Sequence, residues 1–351
     1  MPVEEPRWWY AERASSLGRL LDPIGSIVGW IAERRWHSTD GYRANRPVIC
    51  IGNFTAGGTG KTPLALEVAR ILRLAGETPV FLSRGYGGSL RGPHLVNLAT
   101  DTAAEVGDEV LLLAKQGVAF VARDRAAGAK AIEVAIERGD CAGTVIIMDD
   151  GLQNPSLVKD LTLAVVDGRR GFGNGRIIPA GPLRAALNFQ MKLADAIIIN
   201  QPAAAHHDDA DRPTLIGNFA GPILEATPSP VGEHAWLTPK PLVAFAGIGN
   251  PARFYELLRN LGGHVVAEVS FADHRRLKES EATRILELAA SHGAVIATTE
   301  KDIARLRGLG GARGRLREEA HALAIQLTWR HDDGAYLASL LSDALKRRRQ
   351  R

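Results

Sequence analysis

Between Gly52 and Thr62 the chain reads Gly-Asn-Phe-Thr-Ala-Gly-Gly-Thr-Gly-Lys-Thr, directly after the apolar run Val48–Ile51 and before a segment with helical spacing. That order of residue types suits phosphate binding. Glycines let backbone N–H groups turn inward around phosphate oxygens, Lys61 can neutralise the β- and γ-phosphates, and the Thr62 hydroxyl can ligate magnesium where a helix begins. The motif departs from the common pattern at one place, where Thr55 stands at the position of the leading glycine. Gly57, Gly58 and Gly60 supply the freedom the turn needs.

A second landmark lies about ninety residues on. Thr144–Met148 is an apolar run ending in Asp149-Asp150-Gly151. Taken alone, these residues could simply form a turn; beside a phosphate loop, carboxylates at a strand end can hold Mg²⁺ directly or through water. Gly107-Asp108-Glu109 opens a helical segment, where acidic side chains suit the positive end of the helix dipole and can act as caps alone. Ser83-Arg84-Gly85-Tyr86 and Arg123-Asp124 each follow a strand-like run, and Asp167–Arg184 is a long stretch rich in Gly and Arg. Arginine-bearing loops around a nucleotide suit an anionic second substrate.

The elements that must carry these groups alternate. Val48–Ile51, Val80–Leu82, Val118–Val121, Val145–Met148, Leu163–Val166 and Ile197–Ile199 read as short strands, and Thr62–Leu74, Glu105–Lys115 and Arg125–Arg138 as helices. This rhythm predicts an α/β fold with a P-loop NTPase-like, mostly parallel sheet covered on both faces. Prolines crowd residues 201–240, around a weakly strand-like Thr214–Ala220, and predict an interdomain connection. Alternation resumes at Leu242–Ala246, with Ala322–Leu327 as a last strand and a final helix from Asp333, so a second, smaller α/β domain is expected. The expected boundaries are 1–36 for an N-terminal amphipathic helical segment, 37–205 for the P-loop domain, 206–240 for a linker and 241–351 for the smaller domain.

Apolar residues make up 45% and charged residues 23% of the 351, which excludes wholesale disorder and a polytopic membrane protein. Cys50 and Cys141 lie far apart in apolar runs, which argues against a disulfide framework or a cysteine zinc site and predicts two core thiols in a reducing compartment. Glu4 and Glu5 precede a charged stretch without a compact apolar core, so no secretory leader is expected. The net charge of +4 gathers at the two ends, including Lys346–Arg349. Residues 7–36 read as two short helices, the second capped by Asp22 with Pro23 in its first turn. Leu17, Leu20, Leu21, Ile24, Val28 and Ile31 recur at helical spacing, with Trp8, Trp9, Tyr10, Trp30, Trp36 and several arginines among them. Such a segment either covers the protein's own core or lies at the boundary between lipid headgroups and acyl chains.

Taken together these motifs resemble the tetraacyldisaccharide 4'-kinase family, the lipid A 4'-kinases of Gram-negative bacteria. The resembling residues are Gly52–Thr62, Ser83-Arg84-Gly85-Tyr86, Val106-Gly107-Asp108-Glu109, Asp149-Asp150-Gly151-Leu152-Gln153, Gly181-Pro182-Leu183-Arg184, Phe271-Ala272-Asp273-His274 and Thr298-Thr299-Glu300-Lys301-Asp302. They run in order over residues 48–302. The phosphate loop without a leading glycine fits this family, and Leu152 stands where members often have Phe.

The resemblance implies transfer of the ATP γ-phosphoryl group to the 4'-hydroxyl of a tetraacylated disaccharide 1-phosphate, giving lipid IVA. It implies that Asp108 assisted by His274 takes the hydroxyl proton and that Lys61 is catalytic. ATP would be held by Thr55, Ala56, Gly57, Gly58, Thr59, Gly60, Lys61 and Thr62, and Mg²⁺ by Thr62, Asp149 and Glu109. Asn53, Arg84, Arg123, Asp150, Gln153 and Arg184 would face the acceptor. Peripheral contact with the cytoplasmic face of the inner membrane follows, with no nucleic-acid partner. Two rival readings remain in the residues: a P-loop switch or partition-type ATPase, and a soluble kinase or amide ligase. The first commonly carries a lysine where this chain has Ala56, and the second has no need of the Trp-rich start. Lys301 and Asp302 are adjacent, unlike a guanine-reading turn, so the expected nucleotide is ATP.

Overall fold

The computed structural model describes residues 6–10, 16–201, 219–232, 234–273 and 275–350. The described residues form two sheets. In the larger, the order is β13-β8-β7-β6-β1-β5-β2-β4-β3. Its centre is parallel: β1 (Val48–Asn53) lies between β5 (Val145–Asp149) and β6 (Leu161–Asp167), with β2 (Pro79–Ser83) and β4 (Ala119–Val121) beyond β5 and β7 (Ala196–Asn200) beyond β6. These strands are buried residue after residue, which is why they read as unbroken Val and Ile runs. Antiparallel strands finish both ends, β3 (His94–Leu95) on β4 and β13 (Ile325–Trp329) on β8 (Ile223–Pro230). The smaller sheet is all parallel, ordered β10 (Val265–Ser270), β9 (Leu242–Ala246), β11 (Val295–Thr299), β12 (Ala320–Leu323).

The expected α/β class is borne out, but four local readings are corrected. Residues 223–230, expected within a linker, are β8 of the larger sheet; the remainder of the weakly strand-like 214–220 lies mostly outside the described residues, and 219–220 are not strand. The single strand expected at 322–327 is two, β12 in one sheet and β13 in the other, with Ala324 between them. The helix expected at 105–115 is broken at Gly107 into α3 (Ala103–Val106) and α4 (Asp108–Gln116), because Gly107 takes φ 92° and a Cβ there would meet the Tyr86 carbonyl at 2.5 Å. The N-terminal segment is a 3-10 turn at Arg7–Tyr10 followed by one helix, α1 (Ser16–His37), which runs through Pro23. Pro23 is exposed, so the carbonyl its ring leaves unbonded can be hydrated. Asp22 is not a cap but an ion-pair partner of Arg176.

α1 meets the body through glycines. Gly18, Gly25 and Gly29 are its buried residues, and Cβ atoms at Gly25 and Gly29 would lie 2.8 Å and 2.5 Å from atoms of Ile177. Leu17, Leu20, Ile24, Ile27, Val28, Trp30 and Ile31 are left exposed. Of the apolar stripe read in the sequence, only Leu21 is half-buried. Trp36 anchors the far end, edge-on to Phe189 at 6.0 Å with the Lys159 ammonium 4.5 Å from its ring centre. The remaining helices are α2 (Lys61–Leu74), α5 (Arg125–Arg138) and α6 (Leu187–Lys192) on the larger sheet, α7 (Pro251–Asn260), α8 (Glu279–His292), α9 (Glu300–Arg305) and α10 (Gly311–Glu319) around the smaller, and α11 (Asp333–Arg349), which returns to the larger. Among the described residues no helix is long and apolar enough to cross a membrane. Cys50 is buried as expected; Cys141 is only half-buried, in the turn after α5.

Candidate active site

Open α/β sheets bind ligands outside the carboxyl ends of their strands. Here that edge gathers the ends of β1, β2, β5, β6 and β7. The loop 54–60 leaves β1 and turns into α2, with Gly57 at φ 100° and Gly60 at φ 97°. Gly60 has no room for a side chain, since a Cβ would lie 2.1 Å from the Asn200 amide nitrogen. That nitrogen donates to the Thr59 carbonyl at 2.8 Å, so the end of β7 holds the loop's last turn. Above Gly58 the space is open.

The other side of the loop is clasped by the Gly- and Arg-rich segment after β6. Ala56 donates its N–H to the Pro182 carbonyl at 2.8 Å, Arg184 donates its own to Phe54 at 2.9 Å, and the Arg184 Nε reaches the Thr55 carbonyl at 3.1 Å. Asn53 and Gln153, expected on the acceptor side, both turn to this backbone. The Asn53 amide donates to the Thr55 carbonyl at 2.7 Å, and that of Gln153 to the Asn53 carbonyl at 2.7 Å and to Gln190 at 2.5 Å.

Charge fills the cleft. Lys61 lies 3.7 Å from Asp150, whose carboxylate also accepts from Arg184 at 2.8 Å. Burial alone would raise the Asp150 carboxyl, but Lys61 and Arg184 hold it well below the usual carboxylate range. Its backbone is strained to suit, at φ 51° without being glycine. Asp149 is the opposite case. It is fully buried, and desolvation first, then Glu109 and Asp150, push its carboxyl up to about 6. Ser83 donates to its Oδ2 at 3.2 Å, while Oδ1 is buried with no hydrogen-bond partner. The Thr59 hydroxyl is likewise buried without one. An orphaned carboxylate oxygen beside a phosphate loop, with Thr62 at the first turn of α2, fits a divalent cation held by few protein oxygens and by substrate phosphates. Arg125, also buried, donates to the Asp149 carbonyl at 3.0 Å.

The break at Gly107 makes Asp108 and Glu109 the first residues of α4, and both side chains reach the α9 helix beside the smaller sheet. Lys301 meets Glu109 at 2.5 Å, and Arg305 meets Asp108 at 2.5 Å. Burial would raise the Glu109 carboxyl, but Lys301 and then Lys61 hold it down. The turn after β9 closes on the loop from the same side, with an imagined Cβ on Gly249 only 3.8 Å from the Gly58 nitrogen.

The structure thus brings Lys61, Thr62, Glu109, Asp149, Asp150 and Arg184 around the loop, with Asp108 at its rim. Arg84 and Arg123 stay at the exposed edge, Arg123 reaching the Gly88 carbonyl only at 3.5 Å. His274 lies outside the described residues. Asn200, Ser83, Arg125 and Arg305 were given no role from sequence. A signal existed for the last: Arg305 follows Asp302 by three positions and Lys301 by four, so its side chain is a helix-surface neighbour of each.

Over residues 17–346 the chain matches the family model described as tetraacyldisaccharide-1-P 4'-kinase. A tetraacyldisaccharide 4'-kinase of Nitrobacter winogradskyi is 44% identical over 350 residues, covering 99% of each chain. One from a Bradyrhizobium species is 44% identical over 354 residues, covering 99% of this chain and 97% of its own. Among solved structures, LpxK from Aquifex aeolicus in complex with ATP superposes with a TM-score of 0.71 at 23% identity, over 94% of this chain and 99% of that one, and shows the same fold.

Proposed function

This chain belongs to the tetraacyldisaccharide-1-P 4'-kinase family, and from that membership and the geometry of the cleft we propose that it moves the γ-phosphoryl group of ATP onto the 4'-hydroxyl of a tetraacylated disaccharide 1-phosphate. The observation that carries the residue assignment is the meeting, in one cleft, of the Lys61 loop with the carboxylates that the Gly107 break presents. Phosphoryl transfer asks for positioning and charge neutralisation more than covalent chemistry. Apart from that of Ala56, which is bonded to Pro182, the amides of residues 55–60 and the Lys61 ammonium take the phosphates, and Arg184 keeps Asp150 ionised beside that lysine. Thr62, Asp149 and Glu109 are the residues that would hold magnesium, which when bound offsets the negative charge of the phosphates.

Asp108 is the base in this reading, with His274 as its assistant. As the 4'-oxygen bonds to the γ-phosphorus and the bond to the bridging oxygen of ADP breaks, the hydroxyl proton passes to the Asp108 carboxylate. Arg84 and Arg123, exposed at the edge of the sheet, would meet the acceptor in this reading. The acceptor's acyl chains stay in a membrane, so the exposed apolar face of α1 would rest on the cytoplasmic face of the inner membrane and bring the cleft to its substrate. The test is incubation with labelled ATP and the disaccharide lipid, locating the phosphate gained. Asp108→Ala should lower kcat by about 10²–10⁴-fold with little change in ATP affinity. Phosphate on any group other than the 4'-hydroxyl overturns the reaction, and wild-type turnover in the variant removes Asp108 from it.

A further inference from the structure

The guanidinium of Arg305 sits where three pieces of the molecule meet. Its Nε donates to Asp108 Oδ2 at 2.7 Å and its Nη2 lies 2.5 Å from the same oxygen. Nη1 donates to Asp302 at 2.8 Å and to the Gly247 carbonyl, and Nη2 also reaches Asp273 at 3.2 Å. Every nitrogen of the fork is engaged, and the side chain is only 9% exposed. Asp108 belongs to the larger-sheet domain, Asp302 and Arg305 to α9, and Asp273 to the turn after β10. Asp302 in turn accepts from the Gly247 N–H at 3.2 Å and the Thr299 hydroxyl at 2.6 Å, which fixes the turn after β9 that approaches Gly58.

Taking the reading of Asp108 as the base for granted, we propose that Arg305 is a positioning residue for phosphoryl transfer, through which the smaller domain sets the direction of the Asp108 carboxylate. Asp108 Oδ1 is already turned to its own helix, accepting the Glu109 N–H at 3.0 Å. With Oδ2 held by a planar fork, the rotamer of the carboxylate is fixed relative to both sheets. Without the fork that single backbone bond would leave the carboxylate other staggered rotamers, and an error of about 1 Å in a reacting group can cost about 10²-fold in rate. Stability alone is a poor reason for this cluster, since a buried ion-pair group can often be exchanged for apolar side chains without loss. A lysine could supply the charge but not the fork.

The experiment compares wild type, Arg305→Ala, Arg305→Lys, Asp108→Ala and the Arg305→Ala/Asp108→Ala double variant in the full chain, with ATP and the disaccharide lipid. Arg305→Ala is expected to lower kcat by about 10²-fold while KM for ATP moves by less than about threefold, and Arg305→Lys to recover little of it. Added guanidinium ion at tens of millimolar should raise the Arg305→Ala rate at least about tenfold and leave Asp108→Ala unmoved, and the double variant should be no slower than Asp108→Ala. A kcat within about threefold of wild type in either Arg305 variant overturns the proposal. So does a loss that follows the folded fraction seen in thermal melts and is not rescued. Should Arg305→Ala not fold, the Arg305→Lys kcat decides by the same limits. Wild-type turnover in Asp108→Ala would instead overturn the assignment of the base, whatever the arginine variants do.

Discussion

The exposed face of α1 makes a quantitative demand. Leu20 is 74% exposed and Ile27 59%, on a helix whose opposite, glycine-lined face is already seated on Ile177. Full burial of such a side chain contributes about 2 kcal/mol, so the exposed parts of these two would add about 2.7 kcal/mol if the helix enters a lipid interface. Replacing both, as Leu20→Asp/Ile27→Asp, should therefore weaken partitioning onto vesicles by about 100-fold, and more once the carboxylates' own cost of leaving water is included. Folding should be spared, because neither side chain touches the core, and the melting temperature should stay within about 2 °C. The assay is sedimentation with vesicles of mixed phosphatidylethanolamine and phosphatidylglycerol, with the lipid concentration varied to give a partition coefficient. Removing the whole segment would be a poorer test, since Trp9 is buried and donates its indole N–H to Pro179, so deletion would strip cover from the loop that clasps the phosphate site. A double variant that sediments like wild type, while still folded, would refute membrane docking by this face.

Two further outcomes are expected. Gly60→Ala must shift the phosphate loop, because φ is 97° and the new Cβ would fall 2.1 Å from Asn200, so affinity for a non-hydrolysable ATP analogue should fall at least about tenfold by calorimetry; affinity within about twofold would contradict the account of that turn. Cys50, whose thiol is pushed up to about 11 by burial, stays protonated in the folded chain while the unfolded thiol ionises near its ordinary value, so the unfolded state binds fewer protons between. Stability from this group is intact below about pH 8.5 and is lost as pH rises toward about 11, by at most about 3 kcal/mol. Urea melts of Cys50→Ala should lack that loss, and an equal alkaline decline in both proteins would show the thiol is not its source.

What the sequence made legible followed from the strength of local signals. α5 began and ended as read because Asp124 caps it, accepting the Ala127 N–H, and Gly139 closes it in the left-handed region. β8 was hidden by Pro222, Pro228 and Pro230. Its pairing with β7 stops at Ala226, so Pro228 and Pro230 have a neighbour on one side only and need not donate toward the other. The phosphate loop and the Asp149 strand end were legible because each is contiguous in the chain. The clasp by Arg305 was not, since it joins residues 197 positions apart across two sheets. The glycine face of α1 is silent for another reason: apolar periodicity shows that a stripe exists without saying whether it faces the core or a membrane, and here small residues meet the body while the large ones are left over.

β8 leads into the smaller sheet, and Ala324 alone separates β12 from β13, so the chain leaves the larger sheet and re-enters it at neighbouring strands. The smaller body is therefore hung like a door on two pins set side by side. Because both crossings lie side by side, any turning of the smaller body about them would part the Arg305–Asp108 and Lys301–Glu109 pairs together.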